Sequence, residues 1–453
     1  MEESFPFKYS LLEYLFTLVG FFLFLLDIAL DIWTVVLFYQ EGAYVYMAVM
    51  IFLLLGSSVL LQVFSWVWYS DFLKTKLKTK VEEIKLETKV EETKLETKVE
   101  ETKLETKVEE TKFKLVTKVE KFANGHKLIK PLHFLQLGVY LRYAGVIEIS
   151  TILFRNKTNR FTEGVAVLLN QDLQMLRLFE AFSESAPQLI LMMCRNLQRG
   201  ELELITGLKI LSSAAAIAFT VALYHRSMRS FLQEKRKMSW IPTGVYFLWN
   251  LLLIIPRVTA LALFCSVLPC YIIAHFLSLW MLLVLGVWSQ KTDHMESPGW
   301  ECLFRACVGL IWYFSWFNVS TGSMKIKTVL YNGVMGLDTM MLLGFWCWKV
   351  FEYTGCWSSL NPYIVIPTLL GLYLVGILVK IIYYTWFHPN CDEQKIVKPS
   401  KHQKNRHNIR YYRMNMESEN RAPVQPKDGA LAQPEPVTGV LKRGMNMAAN
   451  FYY

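Results

Sequence analysis

Asp172 to Arg195, DLQMLRLFEAFSESAPQLILMMCR, is apolar enough on average to enter a bilayer, yet it carries Arg177, Glu180 and Glu184 near its middle. On an α-helix these three and Gln188 fall within roughly 80° of one another, a single polar stripe. Leu176, Phe179, Phe182, Leu189 and Met193 cover most of the remaining surface. Each charge at the centre of a membrane helix costs about 2.5 to 3.5 kcal/mol on insertion scales. The stripe must therefore face other helices or a wet cavity. Two kinds of chemistry suit it. The charges can contact a polar solute or headgroup in transit, or they can form an ion cluster that knits helices together.

A second polar stripe lies in the first apolar run, Leu11 to Tyr39. Glu13, Gly20, Asp27, Asp31 and Thr34 fall within roughly 60° on a helix. Asp27 and Asp31 are one turn apart, so they repel unless a cation or a proton sits between them. Arg177 is the evident partner. Arg257, beside Pro256 in a later apolar run, shares a face with Asn250 and reads equally as a helix-packing hydrogen bonder or as a lipid or substrate contact. Asp338 and Lys380 are further intramembrane charges, read as structurally paired.

The elements that position these residues follow from composition. The chain is 53% apolar and only 19% charged, and many charges sit in one insert and one tail. That indicates an all-α polytopic membrane protein and not a soluble globule. The first run is too long for a cleavable signal and has no small-residue cleavage site, so it serves as anchor and targeting signal together. The eight cysteines have no CxxC or Cys/His metal spacing and read as packing residues, although Cys347 and Cys356 could meet near one membrane face. No metal or cofactor is expected. The +10 net charge suits cytoplasmic loops against an anionic leaflet and does not imply nucleic acid.

In order, residues 1–70 hold spans one and two. Residues 71–126 are a charged insert with near-perfect nine-residue repeats, TKVEETKLE. A nine-residue shift turns a helix by about 180°, so no continuous apolar stripe forms; the insert is a solvated helix or disorder in a cytoplasmic loop. Residues 127–240 hold an interrupted, re-entrant segment, Lys127 to Phe154, then the charged helix, a span from Ile205 to Tyr224 and a basic loop, His225 to Lys237. Residues 241–387 repeat the plan: spans from Ile241 to Leu268 and Cys270 to Ser289, a second re-entrant segment within 300–320, and spans from Val329 to Phe351 and Pro362 to Trp386. The expectation is eight transmembrane helices and two re-entrant helices in two similar halves, an arrangement that places working sites at the interface of the halves. The tail, 388–453, is basic and expected to be disordered, with both termini cytoplasmic by the positive-inside rule. Arg199, with Arg195, runs against that rule. There is no P-loop, GxSxG, HExxH or dinucleotide fingerprint, which excludes a recognisable ATP-driven pump or hydrolase. The reading is of a non-enzyme.

The stretches FFLFLLDIALDIW, FSWVWYSDF, MLRLFEAFSESAPQLIL, VYFLWNLLLIIPRV, WYFSWFNV and IIYYTWFHP together resemble the XK-related family, over nearly all of the membrane region. The resemblance implies an ATP-independent phospholipid scramblase of the plasma membrane. In that family caspase cleavage of the cytoplasmic tail lets phosphatidylserine reach the outer leaflet of dying cells, and some members work with a single-span partner such as basigin or neuroplastin. By motif position the family's intramembrane charges correspond to Asp27, Asp31, Arg177, Glu180 and Glu184, and Glu13 stands where an acidic residue is expected. Two departures stand out. Leu223 precedes the Tyr224-His225-Arg226 motif where relatives usually have Asp. The tail lacks a DxxD caspase motif; the best candidate is Gln425-Pro426-Lys427-Asp428, with cleavage after Asp428. Two other readings remain beside the scramblase: an ion or small-solute transporter, and a non-transporting membrane partner.

Overall fold

A computed structural model describes residues 11–93, 117–156, 160–200, 204–229, 238–319 apart from 293 and 296, 324–352 and 360–388. Among these residues there is helix and no strand. Every backbone polar group in hydrocarbon needs an internal partner, which a helix supplies within its own segment.

The first helix, α1 (Leu11–Gln40), has four buried residues, Thr17, Phe24, Asp31 and Phe38, spaced by seven. This is a narrow seam on a helix otherwise clothed in exposed Phe22, Leu26, Leu30 and Trp33, the pattern of a span that touches protein on one side and lipid on the rest. Gly42, with φ +68°, turns the chain after α1. The second helix, α2 (Tyr44–Thr93), runs without a break through residue 70 into the repeat insert. The expected division there is a change of composition, not of secondary structure.

The end of the charged insert forms a short helix, α3 (Lys118–Gly125), and the interrupted segment resolves into α4 (Ile129–Phe134) and α5 (Gly138–Asn156). Glu148 of α5 accepts hydrogen bonds from the backbone nitrogens of Lys118 and Val119 at 2.7 and 3.0 Å, capping the start of α3 with a carboxylate. Gln136 (φ +62°) makes the bend between α4 and α5. Gly138 follows it because a Cβ there would run into Gln62 and His133.

The charged helix is longer than the sequence suggests and is not uniform. It starts as α6 (Arg160–Glu180), passes through a π-helical turn (Ala181–Ser185) and continues as α7 (Ala186–Arg199), where Gly200 at φ +71° ends it. Next comes α8 (Leu204–Arg229), which extends five residues beyond Tyr224 and takes Arg226 and Arg229 out of the expected basic loop and into a buried helix end.

The second half contains α9 (Trp240–Val267), α10 (Pro269–Ser289), α11 (Pro298–Phe314), α12 (Met324–Glu352) and α13 (Pro362–Ile382), the last closing in a π-helical turn, Tyr383–Phe387. Asn361 caps α13 by accepting from the Tyr363 nitrogen at 2.9 Å. Glu301, in the first turn of α11, accepts from the backbone nitrogens of His294 and Met295, both at 2.9 Å, so the entry loop is tied to the helix.

Six helices among the described residues are long and apolar enough to cross a membrane, and together they make this a multi-pass membrane protein. They cover six of the eight expected spans; the charged helix and α8 are not among the six. Their burial separates hub from rim. Two thirds (67%) of the apolar window of α9 is buried, against 6% for α10 and 17% for α1. As the hub, α9 packs against α7, α8, α10, α12 and α13, and its contact with α7 joins the two halves directly.

Candidate functional site

A π turn holds one more residue than an α turn between its hydrogen-bonded ends, so it widens the helix and rotates everything after it. Here it falls between Glu180 and Ala186, in the middle of the polar stripe. An ideal 3.6-residue wheel therefore misplaces the second half of the stripe. The rotation brings two serines inward. Ser183 Oγ meets Ser57 Oγ of α2 at 2.7 Å, and Ser185 Oγ donates to Asp27 Oδ2 of α1 at 3.3 Å.

The two polar stripes do meet. Arg177 forms its ion pair with Glu180, one turn along its own helix, and its guanidinium lies over the Phe24 ring at 4.9 Å. The expected pairing of Arg177 with Asp27 and Asp31 is thus not the closest one, although Asp27 is within its electrostatic reach. Asp31 is buried and has Glu184 and Gln188 as polar neighbours, with Asp27 and Glu180 nearby. Glu184 in turn faces Ser57, Glu180 and Asp31. Of these four carboxylates, Glu180 pairs with Arg177 and Asp27 lies within its reach, while Asp31 and Glu184 face each other and the other carboxylates. Among the described residues Asp31 Oδ2, Glu180 Oε2, Gln174 Oε1 and Gln188 Nε2, like Arg177 Nη1, are buried without a well-aligned hydrogen bond. Buried polar atoms of this kind cost free energy unless water, a proton or a ligand meets them. The cluster is electrostatically incomplete as it stands.

Glu13 lies elsewhere. It pairs with Arg226 Nη2 at 2.7 Å, so the α1 stripe divides between two partners instead of forming one network. Arg226 also donates to Met238 O at 2.8 Å and Thr243 Oγ1 at 2.7 Å, and stacks its guanidinium over Phe16 at 5.2 Å. The sequence reading missed Arg226 because it counted the residue with a basic loop; the Tyr-His-Arg motif was the available signal. A second missed arginine is Arg142, buried between α2 and α6. It bonds Asp172 Oδ2 at 3.2 Å, Ser65 Oγ at 2.9 Å and Ser65 O at 2.8 Å.

In the second half, Arg257 is ion-paired to Asp338 and donates from Nε to Tyr313 O at 3.1 Å. His275 completes the group, with Nε2 3.0 Å from Asp338 Oδ1 and Nδ1 2.9 Å from Tyr313 OH. Of the two readings of Arg257, helix packing is therefore the one with visible bonds. It also lines a recess with Trp249, Trp316, Tyr331, Asn332 and Tyr373. Lys380 is buried with its ammonium over the Trp249 ring at 4.7 Å and no ion-pair partner among the described residues, which departs from the expected structural pairing.

At the α1–α2 turn Glu41 pairs with Arg199, Nη1 to Oε1 at 2.6 Å, and stands 3.8 Å from Arg195 Nε. One carboxylate thus offsets part of the charge of the two arginines that run against the positive-inside rule. Asp428 and Cys356 lie outside the described residues. Among the described residues no three His, Cys, Asp or Glu side chains are arranged to hold a metal ion.

The family description "XK-related protein" matches residues 15–389. XK-related protein 8 of Tetraodon nigroviridis is 36% identical over 394 residues, 86% of each chain. That of Gasterosteus aculeatus is 35% identical over 386 residues, 84% of this chain and 85% of the relative. That of Pan troglodytes is 31% identical over 369 residues, 81% and 82% of the two chains. With a match across nearly all of the membrane region, the chain belongs to the XK-related family.

Proposed function

We propose that this protein is an ATP-independent phospholipid scramblase of the plasma membrane that exposes phosphatidylserine during apoptosis. The observation that carries the reading is the carboxylate-rich cluster of Asp27, Asp31, Arg177, Glu180 and Glu184 where the charged helix meets α1, a helix apolar enough to span a membrane. A headgroup crossing hydrocarbon must shed its hydration, and that cost is the barrier to spontaneous flipping. Polar side chains along α1 and the charged helix replace the lost water while the acyl tails stay in lipid. Buried carboxylate and amide atoms with spare hydrogen-bonding capacity are the groups able to do so. Arg177 holds the phosphate by charge, and the carboxylates meet the ammonium of the headgroup. Transport runs down a gradient, in keeping with the absence of any nucleotide-binding motif.

Membrane orientation belongs to the same proposal. Both termini are cytoplasmic, as the basic loops suggest, and the pairing of Glu41 with Arg195 and Arg199 reduces the one exception to the rule. The tail holds the path shut from the cytoplasmic side until a caspase cuts after Asp428. A single-span partner of the basigin or neuroplastin type accompanies the protein. Reconstitution into liposomes with a fluorescent phospholipid tests the function. Exchange between leaflets is expected from the chain cut at Asp428; no exchange from either intact or cut protein sinks the proposal. The excess of carboxylates also favours a second reading, a cation transporter. Ion flux without lipid exchange in the same liposomes would select it.

A further inference from the structure

By spacing, the cysteines read as packing residues, but two of them face one another. Cys194 lies on α7 five residues before its end at Arg199, and Cys265 lies on α9 two residues before its end at Val267. Cys194 is 0% exposed and Cys265 8%. Both are free thiols, and they lie within hydrogen-bonding reach of each other. The surrounding geometry holds them there. Gln198, one turn after Cys194, donates to the carbonyl of Ser266, the neighbour of Cys265, at 3.4 Å. Tyr46 of α2 hydrogen-bonds Gln198, and its hydroxyl stands 3.9 Å from Cys194 Sγ. Three helices thus converge on the pair.

We propose that Cys194 and Cys265 are a disulfide site that fastens the end of the charged helix to the hub of the second half. These helix ends lie by the Glu41 turn and the Pro269 turn, which the proposed orientation places outside the cell, where disulfides form and persist. The inference rests on that orientation and not on scrambling. Oxidation needs an external disulfide of the glutathione or oxidoreductase class. The thiolate of Cys265, the less buried of the two, attacks one of its sulfurs, forming a mixed disulfide and releasing one thiolate. The Cys194 thiolate then attacks Cys265 Sγ and releases the second. The protein loses two protons and two electrons, and the oxidant leaves as two thiols. The bridge joins positions 71 apart in the sequence, 194 and 265, and closes a loop that contains α8. Cross-linking a loop of this length restricts the unfolded chain most of all. It also fixes α7 at one end while the π turn and its carboxylates sit at the other.

The test uses the full chain, expressed in animal cells, with free thiols blocked by N-ethylmaleimide at lysis. Peptide mapping without reductant is expected to recover the Cys194 and Cys265 peptides joined and unlabelled. Recovery of both as the maleimide adducts overturns the proposal. A melting experiment in detergent supplies a second readout. Reductant is expected to lower the midpoint of the parent by a few degrees and to leave the Cys194→Ser/Cys265→Ser double variant unmoved; equal shifts in both overturn the proposal. Cys270 is exposed at the start of α10, beside the same turn. Labelling Cys270 on intact cells with a membrane-impermeant maleimide shows whether the orientation stands, so failure of the bridge and failure of the orientation are told apart.

Discussion

The two halves each carry an intramembrane charge cluster, and the clusters are built on opposite principles. In the second half Arg257, Asp338, His275 and Tyr313 form a balanced set, one guanidinium to one carboxylate with an imidazole and a phenol adding bonds, and only Arg257 Nη2 among their buried atoms lacks a hydrogen bond among the described residues. In the first half Asp27, Asp31, Glu180 and Glu184 gather in one cluster in which Arg177 pairs with Glu180, and Asp31 Oδ2 and Glu180 Oε2 lack a hydrogen bond among the described residues. A balanced, bonded cluster is what helix packing requires, since each desolvated charge has a repaying contact. An unbalanced one costs stability, and its retention points to a task. In keeping with the proposed function, we assign the functional reading to the first-half cluster and the packing reading to the second.

The comparison can be broken most forcefully at Arg177. Arg177→Met leaves four carboxylates without their cation, and we expect a loss of about 3 to 5 kcal/mol, read as a collapse of the monodisperse peak in detergent chromatography. Normal behaviour of that variant would show that the acidic cluster is not held by Arg177. The double replacement Arg257→Met/Asp338→Met removes a balanced pair together, so stability should change by about 2 kcal/mol or less and lipid exchange should persist. A loss of exchange in a well-folded double variant would move the working site to the second half.

A finer edge is set by Glu184→Gln, which keeps the shape of the side chain and removes its charge. The expected outcome is lipid exchange slowed by about tenfold or more, equivalent to about 1.4 kcal/mol at the barrier, with an unchanged melting midpoint. Unaltered exchange would assign Glu184 to structure. Glu13→Gln should cost about 1 to 2 kcal/mol, because Arg226 keeps its bonds to Met238 and Thr243 while its charge goes unpaired, and exchange should be retained. The smallest effect is expected from Ser185→Ala. It removes one 3.3 Å hydrogen bond to Asp27 and should shift stability by about 1 kcal/mol, measured by thermal denaturation.

Several features were legible before any coordinates. Apolar runs of span length, the polar stripes of α1 and the charged helix, and the change of composition at the repeat insert all follow from local hydrophobicity and helical period. These depend on neighbours a few positions away along one chain. The expected pairing of Arg177 shows the limit. Charge complementarity named Asp27 and Asp31, but the ion pair formed with Glu180, one turn along the same helix, where an i, i+3 contact needs no docking of a second element. The overlong α8 shows another limit, since a basic sequence reads as solvated until a partner such as Glu13, 213 positions away in the chain, is seen beside it.

By itself, then, the sequence determined that this is a helical, multi-pass membrane chain with too much charge on two of its apolar faces. That much is transfer free energy summed over local windows. Only the tertiary structure decided how the charges are shared: Glu13 with Arg226, Arg257 with Asp338, and the remaining carboxylates left in excess around Arg177. The π turn that rotates Ser183 and Ser185 inward was likewise decided by packing. The physical reason is the same in each case. A buried charge is stable only against particular atoms, and which atoms those are is set by where other helices cross, a quantity no single stretch of chain contains.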